Sequence, residues 1–256
     1  MGAGPGSPDL LTVRAVRTLG FADVVLHDAL VSPEVLALAS PQARVMNVGK
    51  RCGRKSITQD EINDLLVRFA TVGDVVVRLK SGDPSIFGRV GEEMDVLREA
   101  GIEIEIVPGV TASLAAAAKI RVSLTDRRSA DQLLFVSAHR AHGKEVSDWQ
   151  ALVSTRTTVV VYMPGEYEGV VADLRRAGLS GSTLCAIVSK VSHPDERWYQ
   201  TTLGSLGTAP PMPSPCVLIV GETVRTAASR QFRSQVLQAI PFREDFREPP
   251  EVRTEL

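Results

Sequence analysis

The stretch that decides the fold is Gly2-Ala3-Gly4-Pro5-Gly6-Ser7-Pro8-Asp9, a short glycine- and proline-rich junction in front of a predicted helix. Two junctions of the same kind follow, Ser81-Gly82-Asp83-Pro84-Ser85-Ile86-Phe87-Gly88 and Pro108-Gly109-Val110-Thr111-Ala112. Each is placed where a strand is expected to give way to a helix. In open α/β sheets, ligands bind beyond the carboxyl ends of the strands, and glycine lets the backbone approach a ligand closely. The three junctions therefore predict one shared small-molecule site in a cofactor-binding enzyme.

The composition is that of an ordinary globular protein, with 44% hydrophobic and 23% charged residues in a chain of 256. A balance of 29 Lys and Arg against 30 Asp and Glu argues against a general nucleic-acid binder. The cysteines Cys52, Cys185 and Cys216 are far apart and predict neither a metal site nor a disulfide framework. No apolar run reaches the length of a membrane span, and no signal-peptide pattern is visible. We expect a cytoplasmic protein that binds neither membranes nor nucleic acid.

Strand and helix patterns alternate along the first half of the chain. Strands are predicted at residues 23–27, 44–48, 74–80 and 104–107, with helices at 10–22, from Thr58 onward and at 92–100. Thr58 and Glu61 have the spacing of a capping box, which predicts the start of the second helix. Such alternation predicts an α/β fold with a mostly parallel sheet and helices on both faces.

The pattern restarts after an alanine-rich helix predicted at residues 112–119. Strands follow at 133–136, 158–162, 184–188, 198–203 and 216–220, with a helix at 169–177. The fourth of these strands alternates as an exposed antiparallel strand does, so this sheet is expected to be mixed. We predict two α/β domains, residues 1–118 and 119–228, and a polar tail at 229–256.

Short motifs in a fixed order connect these elements to a known family. They are Gly4–Thr12, Asp28-Ala29-Leu30-Val31-Ser32, Gly49-Lys50-Arg51, Arg78–Pro84, Phe87-Gly88-Arg89, Glu92-Glu93, Pro108–Ala112, Leu124-Thr125, Tyr162-Met163 and Ser214-Pro215, with Gly221 after a last apolar strand. The set resembles the tetrapyrrole methyltransferases, and its Asp-x-Leu-Val-Ser and Gly-Lys-Arg pieces resemble the uroporphyrinogen-III C-methyltransferase branch. The resemblance extends from Gly2 to about Val224.

The resemblance implies a two-domain α/β enzyme, usually a homodimer, that holds S-adenosylmethionine in a cleft between its domains and needs no metal. Such an enzyme methylates C2 and C7 of uroporphyrinogen III. The products are precorrin-1, then precorrin-2, and S-adenosylhomocysteine. Precorrin-2 feeds the synthesis of sirohaem, cobalamin or haem d1.

The resemblance also assigns roles to individual residues. Asp28 is the expected base, and Lys50 a proton donor or electrostatic group. The expected cofactor-binding residues are Pro5, Ser81, Gly82, Asp83, Ile86, Thr111, Ala112, Met163, Val191 and Cys216. Candidates for gripping the substrate carboxylates are Arg51, Arg78 and Arg89, with Lys80, because guanidinium groups bind carboxylates bidentately.

Structural roles compete with each of these assignments. Asp28 and Asp83 have the position of helix caps, Met163 and Ile86 that of core residues, and any one arginine that of a surface charge. Two other functions also remain open: a methyltransferase of a later precorrin, and a non-catalytic paralogue that binds cofactor or tetrapyrrole. The Gly-Lys-Arg motif argues against the first, and the retained Asp28, Lys50 and Met163 argue against the second.

Overall fold

A computed structural model describes residues 1–49, 57–138 and 149–227 of the chain. The chain divides between Thr111 and Ala112 into two compact units. We call them the first and the second unit. The break falls at the start of the alanine-rich helix, because this helix packs its small side chains on the sheet of the second unit.

The first unit is built on a parallel sheet of three strands in the order β2-β1-β3. Its strands are β1 (Val24–His27), β2 (Arg44–Asn47) and β3 (Val76–Leu79), and its helices are α1 (Val13–Gly20), α2 (Pro33–Leu36), α3 (Gln59–Thr71) and α4 (Val90–Glu99). Val25 packs with Leu19 of α1 on one face, whereas Leu26 packs with Leu66 of α3 on the other. The sheet is therefore covered on both faces, as the alternation predicts.

Local capping sets where these helices begin. The predicted capping box of α3 is present, since the Thr58 hydroxyl accepts from the Glu61 N–H and the Glu61 carboxylate accepts from the Thr58 N–H. Ser32 caps α2 through the N–H of Val35. Asp28 therefore does not cap this helix, which removes the main structural alternative for that residue.

The strand predicted at residues 104–107 is wrong as a sheet strand, because this segment joins no ladder among the described residues. Its burial alternates as in a strand, with Ile104 and Ile106 half-buried and Glu105 exposed. Among the residues described, it makes one backbone hydrogen bond to another segment, from the N–H of Gly2 to the carbonyl of Val107 at 2.9 Å. An apolar strand pattern produces a ladder only where a partner strand lies beside it.

The second unit has a mixed sheet of five strands in the order β4-β5-β8-β6-β7. Its strands are β4 (Gln132–Ser137), β5 (Thr157–Tyr162), β6 (Leu184–Ser189), β7 (Arg197–Thr202) and β8 (Cys216–Val220), and its helices are α5 (Ala112–Ile120) and α6 (Tyr167–Arg176). β7 is an antiparallel edge strand beside β6, as its alternating sequence predicts. Helix α5 covers one face of the sheet and α6 the other.

The predicted fold class is confirmed: an α/β protein with a parallel first sheet and a mixed second sheet. Within the described ranges, no helix is long and apolar enough to cross a bilayer.

Candidate active site

The three glycine junctions meet in the first unit with their backbones in contact. Gly4 and Gly82 exchange hydrogen bonds, with N···O distances of 3.2 and 2.7 Å. A Cβ atom on Gly109 would lie 2.3 Å from the carbonyl oxygen of Gly82, and one on Gly2 would lie 2.6 Å from the Cα of Gly109. Any side chain at these positions would force the loops apart, so glycine is required for the loops to gather.

Asp83 ties the second of these loops to the third. Its Oδ2 accepts from the N–H of Gly109 at 2.9 Å, and its Oδ1 accepts from the N–H of Ser85 at 2.8 Å. Helix α4 begins later, at Val90, and Arg89 precedes it as its first capping position. Asp83 is therefore a loop-holding residue and does not cap α4. Contact with a cofactor through its remaining lone pairs stays a prediction.

Asp28 lies at the carboxyl end of β1 and touches the second glycine loop. Its Oδ2 accepts from the N–H of Ser81 at 3.3 Å, and its Oδ1 lies 2.5 Å from the Nη2 of Arg78. The side chain keeps 28% of its surface exposed. It is thus fixed in direction by two hydrogen-bond donors and still partly exposed.

Arg78 is committed to contacts inside the protein. Its Nε donates to Oε1 of Glu93 at 2.9 Å, and its Nη1 donates to the carbonyls of Leu26 and Leu79, both at 3.3 Å. Together with the bond to Asp28, these contacts use four of the five N–H groups of a guanidinium. In this structure Arg78 therefore holds the side chain of Asp28 in place. Binding of a substrate carboxylate by Arg78 stays a prediction.

Lys80 and Glu93 extend this ion pair into a buried network. The Nζ of Lys80 lies 2.8 and 3.0 Å from the two carboxylate oxygens of Glu93, and both side chains are less than 5% exposed. Burial, with the positive charge of Arg78, lowers the pKa of Lys80. Arg78 lies in β3 and Lys80 directly follows this strand, and both side chains reach Glu93 of α4. The sequence flagged the two cations, but not their shared anion.

The remaining candidates of the first unit lie in the glycine loops or directly after them in the sequence. Pro5 and Ile86 are partly buried in the glycine loops, and Thr111 is buried at the end of the third loop. Arg89 is half-exposed and forms a bidentate pair with Glu92, with distances of 2.7 and 2.6 Å. Because the pair is exposed, it contributes little to stability. Binding of a substrate carboxylate by Arg89 stays a prediction.

Gly49, which precedes the predicted Lys50 in the sequence, packs against Ala29, the residue after Asp28. A Cβ atom on Gly49 would lie 1.9 Å from the backbone nitrogen of Ala29, so the two backbones are packed directly together. Lys50 and Arg51 themselves fall outside the described residues.

The predicted cofactor residues of the second unit lie at strand ends. Met163 follows β5, is half-exposed and has a φ of +50°, a conformation that non-glycine residues adopt rarely. Val191 is buried in the turn after β6, and this turn is joined to the start of β8 by the Lys190 N–H to Pro215 carbonyl bond at 2.8 Å, next to Cys216. Ala112 begins α5. Cofactor contact at these four positions stays a prediction.

Residues 1–207 match the family described as Tetrapyrrole (Corrin/Porphyrin) Methylases. The chain belongs to this family.

Its relatives include a uroporphyrinogen-III C-methyltransferase from Paracoccus denitrificans, 42% identical over 232 residues, which are 89% of this chain and 81% of that protein. Siroheme synthase 1 of Yersinia enterocolitica is 44% identical over 88% of this chain. The chain spans about half the length of the siroheme synthases it matches, 48% in that case.

Two solved structures bear on the substrate of this tetrapyrrole methylase. Uroporphyrin-III C-methyltransferase from Thermus thermophilus, crystallised with S-adenosylhomocysteine, has a TM-score of 0.76 and 39% identity, and the match covers 88% of this chain and 97% of that one. A cobalt precorrin-4 methyltransferase has a TM-score of 0.77 and 30% identity, covering 88% and 94%. The backbone is equally similar to both, so sequence identity is what distinguishes them.

Proposed function

We propose that this tetrapyrrole methylase transfers methyl groups from S-adenosylmethionine to C2 and C7 of uroporphyrinogen III, giving precorrin-2. The observation that carries the proposal is the contact between Asp28 and Ser81. It joins a partly exposed carboxylate to the first residue of a glycine loop, so an acid–base group and a ligand-binding loop form one structure. The higher identity to uroporphyrinogen enzymes than to the later precorrin enzyme supports the choice of substrate.

The residues of the first unit fit such a cofactor. The backbones packed at Gly2 and Gly109 leave no room for a Cβ atom beside the Gly82 carbonyl, so peptide groups rather than side chains form this surface. The Oγ of Ser81 is buried and, among the residues described, has no hydrogen-bond partner. A buried hydroxyl without a partner is costly, and a polar ligand atom at this loop would satisfy it. S-adenosylmethionine, when bound, supplies an electrophilic methyl group on a sulfonium.

Asp28 acts as the base in this proposal. The pyrrole carbon of an electron-rich macrocycle forms the new C–C bond as the bond from sulfur to methyl breaks, and the macrocycle then loses a proton. Asp28 accepts that proton or transfers it to water. Arg78 and the Ser81 N–H fix the direction of this carboxylate, so that it can also stabilise positive charge on the methylated ring.

In this proposal, cationic side chains of the first unit bind the carboxylates of the substrate. Uroporphyrinogen III carries eight carboxylates, and Arg89 presents a planar guanidinium whose protein partner is equally exposed. Arg51 and Lys50 complete the predicted set. We assign Arg78 to positioning Asp28 instead, because its N–H groups are already occupied. We also propose that the protein acts in the cytoplasm as a homodimer, and a monomeric mass by light scattering would contradict the dimer.

The test is anaerobic turnover of uroporphyrinogen III by the wild type and by Asp28→Asn. The substitution keeps the shape of the side chain but removes the base, so turnover should fall at least about 100-fold while calorimetric affinity for S-adenosylmethionine stays within about threefold. Asp95→Asn, on the exposed side of α4, is the matched control and should behave as the wild type. Wild-type activity on a later precorrin but not on uroporphyrinogen III would favour the later-precorrin enzyme. Cofactor binding without turnover of either would favour the non-catalytic paralogue.

A further inference from the structure

His27 is the last residue of β1 and carries the one polar side chain in this strand. It is buried, with 7% of its surface exposed. Its backbone belongs to the sheet, opposite Asn47 of β2 and Leu79 of β3, and its carbonyl accepts from the Val48 N–H at 2.9 Å. A buried polar ring is costly unless it forms hydrogen bonds, so the partner of this imidazole indicates what it does.

The imidazole of His27 is bonded to the backbone of the candidate base. Its Nδ1 lies 2.9 Å from the carbonyl oxygen of Asp28. A carbonyl oxygen can only accept a hydrogen bond, so Nδ1 carries the hydrogen and donates it. In the neutral ring Nε2 is then the nitrogen without a hydrogen, because the bond that one ring nitrogen makes sets the tautomer of both.

The bond from His27 orients a carbonyl that lies beyond the ladder of the sheet. β1 ends at His27, and the Asp28 N–H still donates to the Leu79 carbonyl at 3.0 Å. The Asp28 carbonyl instead accepts from the imidazole and from the Val31 N–H, the latter at 3.2 Å. Among the described residues, the imidazole therefore makes the shorter of the two bonds that orient this carbonyl.

Backbone packing closes the nitrogen side of the same peptide group. This group joins Asp28 to Ala29, and a Cβ atom on Gly49 would lie 1.9 Å from the Ala29 nitrogen. The peptide is thus held at its oxygen by the imidazole and at its nitrogen by contact with Gly49. The Cα of Asp28 lies between this peptide and the one bonded to Leu79. Together the two peptides set the direction in which the Asp28 side chain leaves the backbone.

We propose that His27 is a positioning residue for methyl transfer: its Nδ1–H bond to the Asp28 carbonyl fixes the backbone from which the base projects. Arg78 and the Ser81 N–H hold the carboxylate at its far end, and His27 holds the near end. Fixing both ends matters because a misplacement of about 1 Å can cost about 100-fold in rate. The inference rests on the proposed function in one respect, the role of Asp28 as the base.

Two substitutions separate the two nitrogens of the ring. In His27→Asn the amide nitrogen is two bonds from Cβ, as Nδ1 is, so it can donate to the Asp28 carbonyl. In His27→Gln the amide nitrogen is three bonds from Cβ, as Nε2 is, so it replaces the other nitrogen. Both variants keep a polar amide at the end of β1, and each is therefore the matched control of the other.

Four readouts are compared between the wild type and the two variants. They are kcat with uroporphyrinogen III, calorimetric affinity for S-adenosylmethionine, the thermal midpoint, and hydrogen exchange of the Ser81 N–H, which donates to the Asp28 carboxylate. In the wild type, nitrogen-15 NMR at about pH 8, where an unperturbed imidazole is neutral, also shows which nitrogen of His27 carries the hydrogen.

We expect the hydrogen on Nδ1. His27→Gln should lower kcat about tenfold and speed exchange at Ser81 about tenfold, with cofactor affinity within about threefold of the wild type. His27→Asn should keep kcat and Ser81 exchange within about threefold of the wild type. The thermal midpoints of the two variants should agree, so a difference in kcat between them is not a difference in stability.

A hydrogen on Nε2 in the wild type would overturn the proposal. So would equal kcat and equal Ser81 exchange in the two variants, or a loss in His27→Asn that His27→Gln does not show. The tautomer and the exchange are measured without substrate. They therefore decide the proposal even if the wild type does not methylate uroporphyrinogen III, a result that would contradict the proposed function alone.

Discussion

The Nη2 of Arg78 lies 2.5 Å from the Oδ1 of Asp28, which makes the candidate base one half of an ion pair. The other half is anchored to Glu93, and Glu93 is anchored to Lys80. A chain of ion pairs therefore connects the buried Lys80 and Glu93, through Arg78, to the partly exposed carboxylate of Asp28. The direction of the Asp28 side chain therefore depends on Arg78, which Glu93 in turn holds in place.

Arg78→Lys should reduce turnover without a matching loss of cofactor affinity. A lysine ammonium is a point charge and cannot bridge Asp28 and Glu93 as the planar guanidinium does. We expect kcat to fall about 100-fold, with S-adenosylmethionine affinity by calorimetry within about threefold of the wild type. Arg98→Lys, in an exposed pair with Asp95, is the control and should leave kcat unchanged. A pH–rate profile identical to that of the wild type would contradict a positioning role.

Glu93→Gln should destabilise the protein strongly, because it leaves the buried Lys80 and Arg78 without their shared anion. Breaking such a pair costs about 3–5 kcal/mol, measurable as the change in unfolding free energy in urea. The double variant Lys80→Met, Glu93→Leu should recover much of that loss, since no unpaired charge is buried. The cycle needs the single variants Lys80→Met and Glu93→Leu. If the loss of unfolding free energy in the double variant equalled the sum of the losses in these two, Lys80 and Glu93 would not act as a pair.

Gly109→Ala should weaken cofactor binding by separating the glycine loops. The added methyl group would lie 2.3 Å from the carbonyl oxygen of Gly82, so one of the two backbones must move. We expect at least about a tenfold loss of S-adenosylmethionine affinity. Gly91→Ala adds the same group within α4, where nothing lies within 4 Å, and should be neutral or stabilising by up to about 1 kcal/mol. Equal S-adenosylmethionine affinities of Gly109→Ala and Gly91→Ala would show that close contact between the glycine loops is not needed for cofactor binding.

The Met1 amine predicts a stability that rises with pH between about 6 and 8. Burial, with the positive charges of Lys80 and Arg78, lowers its pKa from the ordinary 8.0 to about 6. In that window the unfolded chain holds a proton that the folded chain has lost, so raising the pH favours folding, by up to about 2.7 kcal/mol for two pKa units. The measurement is the unfolding free energy against pH for protein whose intact mass shows that Met1 is retained. An N-acetylated chain should lack this part of the slope. The same slope in both preparations would assign it to other groups.

Much of the fold follows from local sequence patterns. The capping box at Thr58 and Glu61, the buried strand β8 and the exposed edge strand β7 each have a pattern that depends only on their own residues. Residues 104–107 have an equally good strand pattern and form no ladder. A ladder depends on a partner, and the pattern of one segment carries no information about its neighbour.

The sequence predicted part of the candidate site: the loops that form it, but not the ion pairs that hold Asp28. Glycine content indicated which loops would approach each other, because the close contact of Gly109 with the Gly82 carbonyl excludes a side chain at Gly109. The partner of Arg78 was not predictable, since an arginine within an apolar strand is compatible with either a surface or a buried anion. Glu93 lies 15 residues further along the chain, and only the packing of α4 on β3 brings the two together.

The most direct test of the central claim is the mass of the tetrapyrrole formed when the purified chain is incubated anaerobically with uroporphyrinogen III and S-adenosylmethionine. We predict a product with two added methyl groups, and none from Asp28→Asn under the same conditions. An unmodified tetrapyrrole, from a protein that still binds S-adenosylmethionine by calorimetry, would contradict the assignment of uroporphyrinogen III as the substrate.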